Sequence, residues 1–319
     1  MKKQFYVFST VISIDFVSEN EDIIINEIIE TVYRLDDEMS IYKEDSIVSN
    51  INKNAGIQEV KVSIDVMYVV KKAIEYSNIT NGELDITSKP VIDIVKAGNL
   101  NIDKINEKIK LINYKNIMIN DDNNTIKLKH VGMGLDLGSM VKGYATDLIV
   151  DILNKHNISN ALIDLGGNIY VKGLYMNNSK WNVGIQDPTG KRYSTIGVLN
   201  LSNKSIVTSG NYERANHIIS PKTGLPVNGE IASVSIISKF SIDGEGLSTG
   251  CYVMNLEDAI KLIERINDID AIFVTNNKEV YCTSNIKKDL IISNDEYKII
   301  ESNVGRKWQK QQKWKYIGL

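Results

Sequence analysis

The sequence predicts an α+β fold, on three observations. Amphipathic stretches with helical spacing occur at 21–39, 63–77, 139–156 and 255–266. Strand-like runs cluster rather than alternate with them, which is not the regular βαβ order of a doubly wound sheet. Finally, only 4 prolines occur in 319 residues and no Pro/Gly/Ser-rich linker divides the chain, so no domain boundary is marked.

Each element follows from local pattern. Residues 4–16 read as one strand. Residues 21–39 place Ile24, Ile25, Ile28, Val32 and Leu35 on one helical face. The stretch 40–56 is polar and turn-rich, with little to bury. A helix over 63–77 takes Ser63 as N-cap and turns Val66, Val69, Val70, Ala73 and Ile74 inward. A loop over 78–90 closes on Pro90. Short alternating segments over 104–130, with the turn 120–124, predict a hairpin. The helix 139–156 buries Val141, Ala145, Leu148 and Ile152, with Tyr144 beside them. Two buried strands meet about Gly166–Gly167, in 160–173. Strands follow at 181–186, 195–201 and 231–238. A last helix, 255–266, is capped by Asn255, and 268–300 reads as strands and turns.

Composition excludes several classes. A net charge of −3 leaves no global nucleic-acid footprint. Two cysteines make neither a disulfide framework nor a zinc pattern, and Cys251, in an apolar run, reads as a small core residue. No uninterrupted run of 18 apolar residues predicts a membrane span. The N-terminal apolar residues are broken by Gln4, Ser9, Thr10, Ser13 and Asp15, the pattern of a strand rather than a signal peptide. A cytoplasmic, reduced protein is expected. The end, 306–319, carries five positive charges in ten residues, interleaved with Trp308, Trp314 and Tyr316. It suits either a weak contact with a partner or membrane surface, or a tail docked on its own domain.

Three segments concentrate reactive groups. "GLDLGSMVKGYATD" (134–147) turns a strand into a helix, and its first-turn N–H groups, from about Ser139 to Lys142, with the Lys142 charge, suit an anion. It is neither a dinucleotide fingerprint, since its third glycine comes one residue late, nor a P-loop. The alternative is that Asp136 caps the helix and Lys142 is solvated. "TSGNYERANHIISPKTGLPV" (208–227) holds His217, either a structural histidine or a reactive one. "DGEGLSTGCYVM" (243–254) spaces Glu245 and Thr249 four apart, on one face if helical, where two oxygens suit a hard cation. The alternative there is a helix cap. Gly244, Gly246 and Gly250 leave room for a ligand or another strand.

In order along the chain, seven segments together resemble the FAD:protein FMN transferases, the ApbE flavin-transferase family. They are "SIYKEDSIVSNIN", "NGELDITSKPVIDIV", "LDLGSMVKGYATD", "IDLGGNIYVKG", "TSGNYER", "HIISPKTGLPV" and "GEGLSTG". The resemblance implies a single α+β unit, residues 1–300, with FAD in a cleft between two sub-parts and a basic–aromatic tail at 301–319. It implies a divalent cation, usually Mg²⁺, on the FAD pyrophosphate, and transfer of FMN to a Ser or Thr hydroxyl of an acceptor protein with release of AMP.

Carried over position by position, Tyr42, Asn52, Leu84, Asp85, Asp136, Lys142, His217 and Ile219 would contact FAD. The metal would take the Ser139 carbonyl, Glu245 and Thr249, with Ser248 beside it. Lys142 and His217 would act in the chemistry, one opposing phosphate charge and the other as base or phosphate contact. Three positions depart from the family pattern. Glu245 stands where Asp is usual and is longer by about 1.5 Å. Ser220 replaces the Asp of the His-Ile-Ile-Asp-Pro motif, and "FST" (8–10) replaces Met-Gly-Thr. Two other readings of the same site are an FAD pyrophosphatase and a flavin-binding protein without catalysis. With no export signal or lipobox, the target would be cytoplasmic or on the inner face of a membrane.

Overall fold

The computed structural model describes residues 2–98, 101–190, 194–210 and 217–301. It opens on a hairpin, β1 (Lys2–Val7) and β2 (Thr10–Phe16), paired antiparallel down to Val7↔Thr10. The strand expected over 4–16 is therefore two strands. Their turn is Phe8–Ser9, with φ of 51° and 58°. Hairpin turns with two left-handed residues ordinarily show as Asn-Gly or Asp-Gly, so Phe-Ser gives no sequence signal.

The helix α1 (Glu21–Met39) buries Ile24, Ile25, Ile28, Val32 and Leu35, as the spacing predicts. The segment 40–56 is not without burial, because α2 (Ile47–Lys53) forms there and buries Val48 and Ile51. The Ser46 side chain caps it, accepting from the Ser49 N–H at 2.9 Å. A two-residue strand, β3 (Val60–Lys61), leads to α3 (Ile64–Ile79), where Ser63 accepts from the Val66 N–H at 3.2 Å. The expected loop over 78–90 ends two residues early, since α4 (Lys89–Lys96) begins just ahead of Pro90, which needs no N–H bond in a first turn. Residues 104–116 are not strand-like: α5 (Ile102–Lys108) and two short 3-10 turns occupy them. The hairpin expected further on is β4 (Ile117–Asn120) and β5 (Thr125–Leu128).

Next comes α6 (Val141–Lys155), which starts two residues later than expected and buries Val141, Ala145, Ile149, Ile152 and Leu153, with Leu148 at the margin. Strands β6 (Ala161–Leu165) and β7 (Asn168–Lys172) turn at Gly166–Gly167, and β8 (Trp181–Gln186), β9 (Thr195–Leu201), β10 (Lys204–Gly210) and β11 (Ile231–Ser238) follow. A buried helix, α7 (Ser241–Val253), precedes α8 (Leu256–Ile263), which Asn255 caps through the Asp258 N–H at 2.9 Å. The described chain finishes with β12 (Asp270–Thr275), β13 (Glu279–Cys282), β14 (Leu290–Ile292) and β15 (Lys298–Ile299). The basic–aromatic end, 306–319, lies outside the described residues.

Nine strands form the main sheet, in the order β1-β2-β6-β7-β10-β11-β12-β13-β15, antiparallel except for β13 with β15. Two three-stranded sheets, β14-β9-β8 and β3-β5-β4, flank it. Side chains alternate across the main sheet. Val234, Ile236, Ala271 and Phe273 turn to the helices, in one core with Ile28, Val70, Ala145 and Leu247. Ile206, Ile237, Ile272 and Val274 turn to the other face and meet Val183, Leu199 and Leu290 of the β8–β9–β14 sheet. A smaller core, Val91, Ile105 and Ile219, joins α4, α5 and the chain after β10. Among the described residues no helix is long and apolar enough to cross a membrane.

The position of α7 sets the site. Its glycines make room for neighbouring side chains rather than for a ligand. A Cβ on Gly244 would meet Val207 at 2.6 Å, one on Gly246 the Tyr76 ring at 2.5 Å, and one on Gly250 Thr80 at 2.4 Å. From α6, a Cβ on Gly143 would fall 2.7 Å from Glu245 Cγ, Ile242 Cα and the Ser241 carbonyl. The two helices touch through that glycine, and the contact brings Lys142 beside Glu245.

Candidate active site

A cleft of about 410 Å³ opens where these elements meet. One wall is built on the main sheet and its helices: the β1–β2 turn, Gly166, the end of β10, Lys142 and the Glu245–Thr249 face of α7. Opposite stand the end of α1 with residues 40–42, the loop 83–88, Ile92 and Lys96 of α4, and 217–221; Met39, Leu84, Ile86 and Ile218 belong to the main core, and Ile92 and Ile219 to the smaller one. Tyr42, Leu84, Asp85, Asp136, Ser139, Lys142, His217, Ile219, Glu245 and Thr249 all line it.

At the α6–α7 contact, Glu245 is only 4% exposed. Its Oε1 faces two donors, Lys142 Nζ at 3.2 Å and Asn168 Nδ2 at 2.9 Å. Its Oε2 carries no bond among the described residues. One turn on, Thr249 also lines the cleft, and Ser209 Oγ stands 3.5 Å from its hydroxyl. Ser248 faces inward instead, accepting from Ser209 Oγ at 2.9 Å and donating to the Glu245 carbonyl at 3.3 Å. No cluster of three or more His, Cys, Asp or Glu occurs among the described residues. The donors on offer for a metal are therefore hard oxygens with a single carboxylate: Glu245 Oε2, the Thr249 hydroxyl and the Ser139 carbonyl. That set fits Mg²⁺, which keeps several waters and binds through one or two carboxylates plus phosphate oxygens.

The turn before α6 is braced from within. The strand expected to run into this helix is absent, since β5 ends at Leu128 and residues 129–140 form none; Asp136 Oδ1 accepts from the Gly138 N–H at 2.9 Å, an Asx turn ahead of α6. The N–H groups of Met140 and Val141 both go to the Leu137 carbonyl, at 2.9 and 3.0 Å. Two of the four helix-start donors expected to face an anion are thus already engaged, and the Lys142 ammonium stands at the same corner. Asn52 does not line the cleft. It holds the backbone of Leu135, donating to its carbonyl at 2.9 Å and accepting from its N–H at 2.6 Å. Asp85 lies in the wall but spends its carboxylate on the Thr87 N–H at 2.8 Å, the Thr87 hydroxyl at 2.6 Å and the Tyr114 N–H at 2.9 Å. Burial pushes its carboxyl above the ordinary value, against those three bonds.

Sequence reasoning missed two residues. Lys96, in the last turn of α4, donates to the Tyr42 hydroxyl at 2.9 Å, lies 5.4 Å from that ring's centre and stands 4.0 Å from Asp136 Oδ2. It ties Tyr42, otherwise 72% exposed, to the cleft mouth. The other is Asn168, read only as a strand residue of a motif. His217 is exposed at the rim, and the residues just before it, 211–216, lie outside the described chain.

This cleft in an α+β unit sets a lysine–glutamate pair and hydroxyl and carbonyl oxygens along one lining. The model of the ApbE family matches residues 8–273, and the chain belongs to that family. It is similar to the FAD:protein FMN transferase of Treponema pallidum (strain Nichols), 30% identical over 78% of this chain and 76% of that protein. It is 28% identical to the FAD:protein FMN transferase of Klebsiella pneumoniae (strain 342), over 83% of this chain and 86% of that one. Among solved structures, the flavin transferase ApbE from Vibrio cholerae superposes with a TM-score of 0.84 at 26% identity, covering 91% of this chain and 98% of that one.

Proposed function

We propose that this chain is a Mg²⁺-dependent FAD:protein FMN transferase that attaches FMN to a Ser or Thr hydroxyl of an acceptor protein and releases AMP. The unit that carries it is residues 1–300, with the tail 301–319 left for partner or membrane-surface contact. A cytoplasmic acceptor is the first to try.

One observation carries the reading: Glu245 is held on Oε1 by Lys142 and Asn168, which leaves Oε2 free of bonds to the described residues in a cleft that Thr249 and Ser139 also line. Charge supports it. Among the described residues, five carboxylates (Asp36, Glu83, Asp85, Asp136 and Glu245) and two lysines (Lys96 and Lys142) line the cleft; with Asp36 paired to Lys43 and Glu83 to Lys222, three carboxylates face the two lysines. A pyrophosphate entering such a site meets repulsion unless a cation comes with it. A bound Mg²⁺ would supply that charge and draw electron density from the phosphate oxygens.

The chain's own residues account for the rest. Tyr42, Leu84 and Ile219 offer apolar and aromatic surface to the flavin nucleotide, and Lys96 fixes the Tyr42 ring. Lys142, on the rigid α6–α7 contact, places its ammonium where charge grows on the transferred phosphoryl group. In the reaction a bond forms from the acceptor oxygen to the FMN phosphorus, and the bond from that phosphorus to the AMP oxygen breaks. The acceptor hydroxyl loses its proton, and His217 at the rim is the group assigned to take it.

The test is intact-mass analysis of a flavin-acceptor domain after incubation with the chain, FAD and Mg²⁺. The reading expects a covalent FMN adduct on Ser or Thr and free AMP. FMN and AMP formed without an adduct would replace it with a hydrolase, and FAD bound but unchanged would leave a flavin-binding protein.

A further inference from the structure

Asn168 is a fully buried polar side chain. It begins β7 and lies between α6, α7 and β10. Its Nδ2 donates to Glu245 Oε1 at 2.9 Å. Its Oδ1 accepts from Ser241 Oγ at 2.6 Å and from Thr146 Oγ1 at 3.2 Å. Ser241 Oγ in turn accepts from Ser205 Oγ at 3.0 Å.

This chain of bonds has a direction. Ser205 can send its proton to Ser241 at 3.0 Å or to the Ile169 carbonyl at 3.3 Å, and the Ser241 proton goes to Asn168 at 2.6 Å. That proton needs the amide oxygen, which turns the amide nitrogen toward Glu245. Flipped, the amide would set its oxygen against the Glu245 carboxylate oxygen and lose that bond, although the two hydroxyls could still accept from its nitrogen. The network is complete only with Glu245 turned so that Oε1 faces inward.

We propose that Asn168 is a positioning residue for the metal carboxylate. With its amide locked by Ser241 and Thr146, it holds Glu245 Oε1 against the fold and leaves Oε2 as the oxygen presented to the cation. The inference rests on the transferase reading and deepens it. It also explains how a Glu serves where the family usually has Asp. The extra methylene packs on Gly143, where no Cβ intervenes, and the carboxylate is drawn back by Asn168 and Lys142.

Side chains that orient a metal ligand without touching the metal typically change metal affinity 10–100-fold when lost. The test therefore reads metal binding rather than turnover. Mn²⁺ is titrated by electron paramagnetic resonance into the full chain loaded with FAD, for wild type, Asn168→Leu and Ser241→Ala. Asn168→Leu should weaken Mn²⁺ by about 10–100-fold while FAD affinity without metal shifts by less than about twofold. Ser241→Ala keeps the amide but frees it to turn, and should weaken Mn²⁺ by roughly three- to tenfold, a part of the Asn168→Leu loss. Wild-type Mn²⁺ affinity in a folded Asn168→Leu overturns the proposal. Should that variant fail to fold, unchanged affinity in Ser241→Ala overturns it instead. A wild-type chain that binds no Mn²⁺ overturns the metal reading itself, a result distinct from a wild type that binds and a variant that binds equally well.

Discussion

Shortening Glu245 to Asp restores the residue usual in the family, and the structure predicts that it harms this chain. The substitution withdraws the carboxylate by about 1.5 Å, one carbon–carbon bond. Oε1 now stands 2.9 Å from Asn168 Nδ2 and 3.2 Å from Lys142 Nζ, so both contacts open beyond hydrogen-bond reach. Asn168 is fully buried, and its stranded donor costs about 1–3 kcal/mol. The space beside Gly143 that the Glu245 methylene fills is left empty. Transfer of FMN to an acceptor domain at saturating FAD, with Mg²⁺ varied, should show the Mg²⁺ requirement rising about 10–100-fold. Urea melts should show the stability loss. Wild-type or higher activity in Glu245→Asp, with an unchanged melt, would refute the reasoning, because the site would then be indifferent to the side-chain length that the network appears built around.

Three further outcomes are expected. Gly143→Ala places a methyl 2.7 Å from two backbone atoms of α7 as well as Glu245 Cγ, so the helices must part; a stability loss of about 1–3 kcal/mol should be seen in denaturant melts, and a wild-type midpoint would count against the close contact. Lys96→Met frees the Tyr42 ring and should raise the FAD KM about tenfold, near 1.4 kcal/mol, with kcat little changed; Lys96→Arg should recover part of the loss, and an unchanged KM would remove Lys96 from the site. Asp147 accepts from the Ser241 and Ile242 N–H groups at the start of α7, and burial, aided by Asp243 and Asp151, pushes its carboxyl from 3.8 up to about 7. A raised folded value means that the native state holds the proton longer, so this group's stabilisation is full below about pH 4 and is lost as pH rises toward 7. Urea midpoints at pH 5 and pH 8 should fall for the wild type more than for Asp147→Asn, whereas equal falls would show that Asp147 titrates normally.

How much was legible in the sequence depends on whether the determining interaction is local. The helices α1 and α3, the Ser63 and Asn255 caps and the Gly166–Gly167 turn rest on periodicity or on bonds within a few residues, and all appear in the structure. The helix α7 was legible only as a conditional helix start. Glycines disfavour helices by about 1 kcal/mol each, and three of them here serve contacts with Val207, Tyr76 and Thr80 from distant parts of the chain. The short helices α2 and α5 are too brief to show a period. The ordered motifs brought most candidate residues to one cleft, since loops held by a rigid scaffold carry such groups. They could not show that Asn52 braces the Leu135 backbone, nor that Lys96, from α4, meets Tyr42 and Asn168, from β7, meets Glu245. Those contacts exist only once the chain is folded.

The measurement that bears most directly on the account is the ratio of AMP released to FMN bound on the acceptor, followed in one reaction with Mg²⁺ and in another with a chelator. The account predicts one AMP for each FMN attached, with neither formed when the metal is withheld. AMP released in excess of attached FMN, or transfer that continues undiminished in chelator, would contradict it.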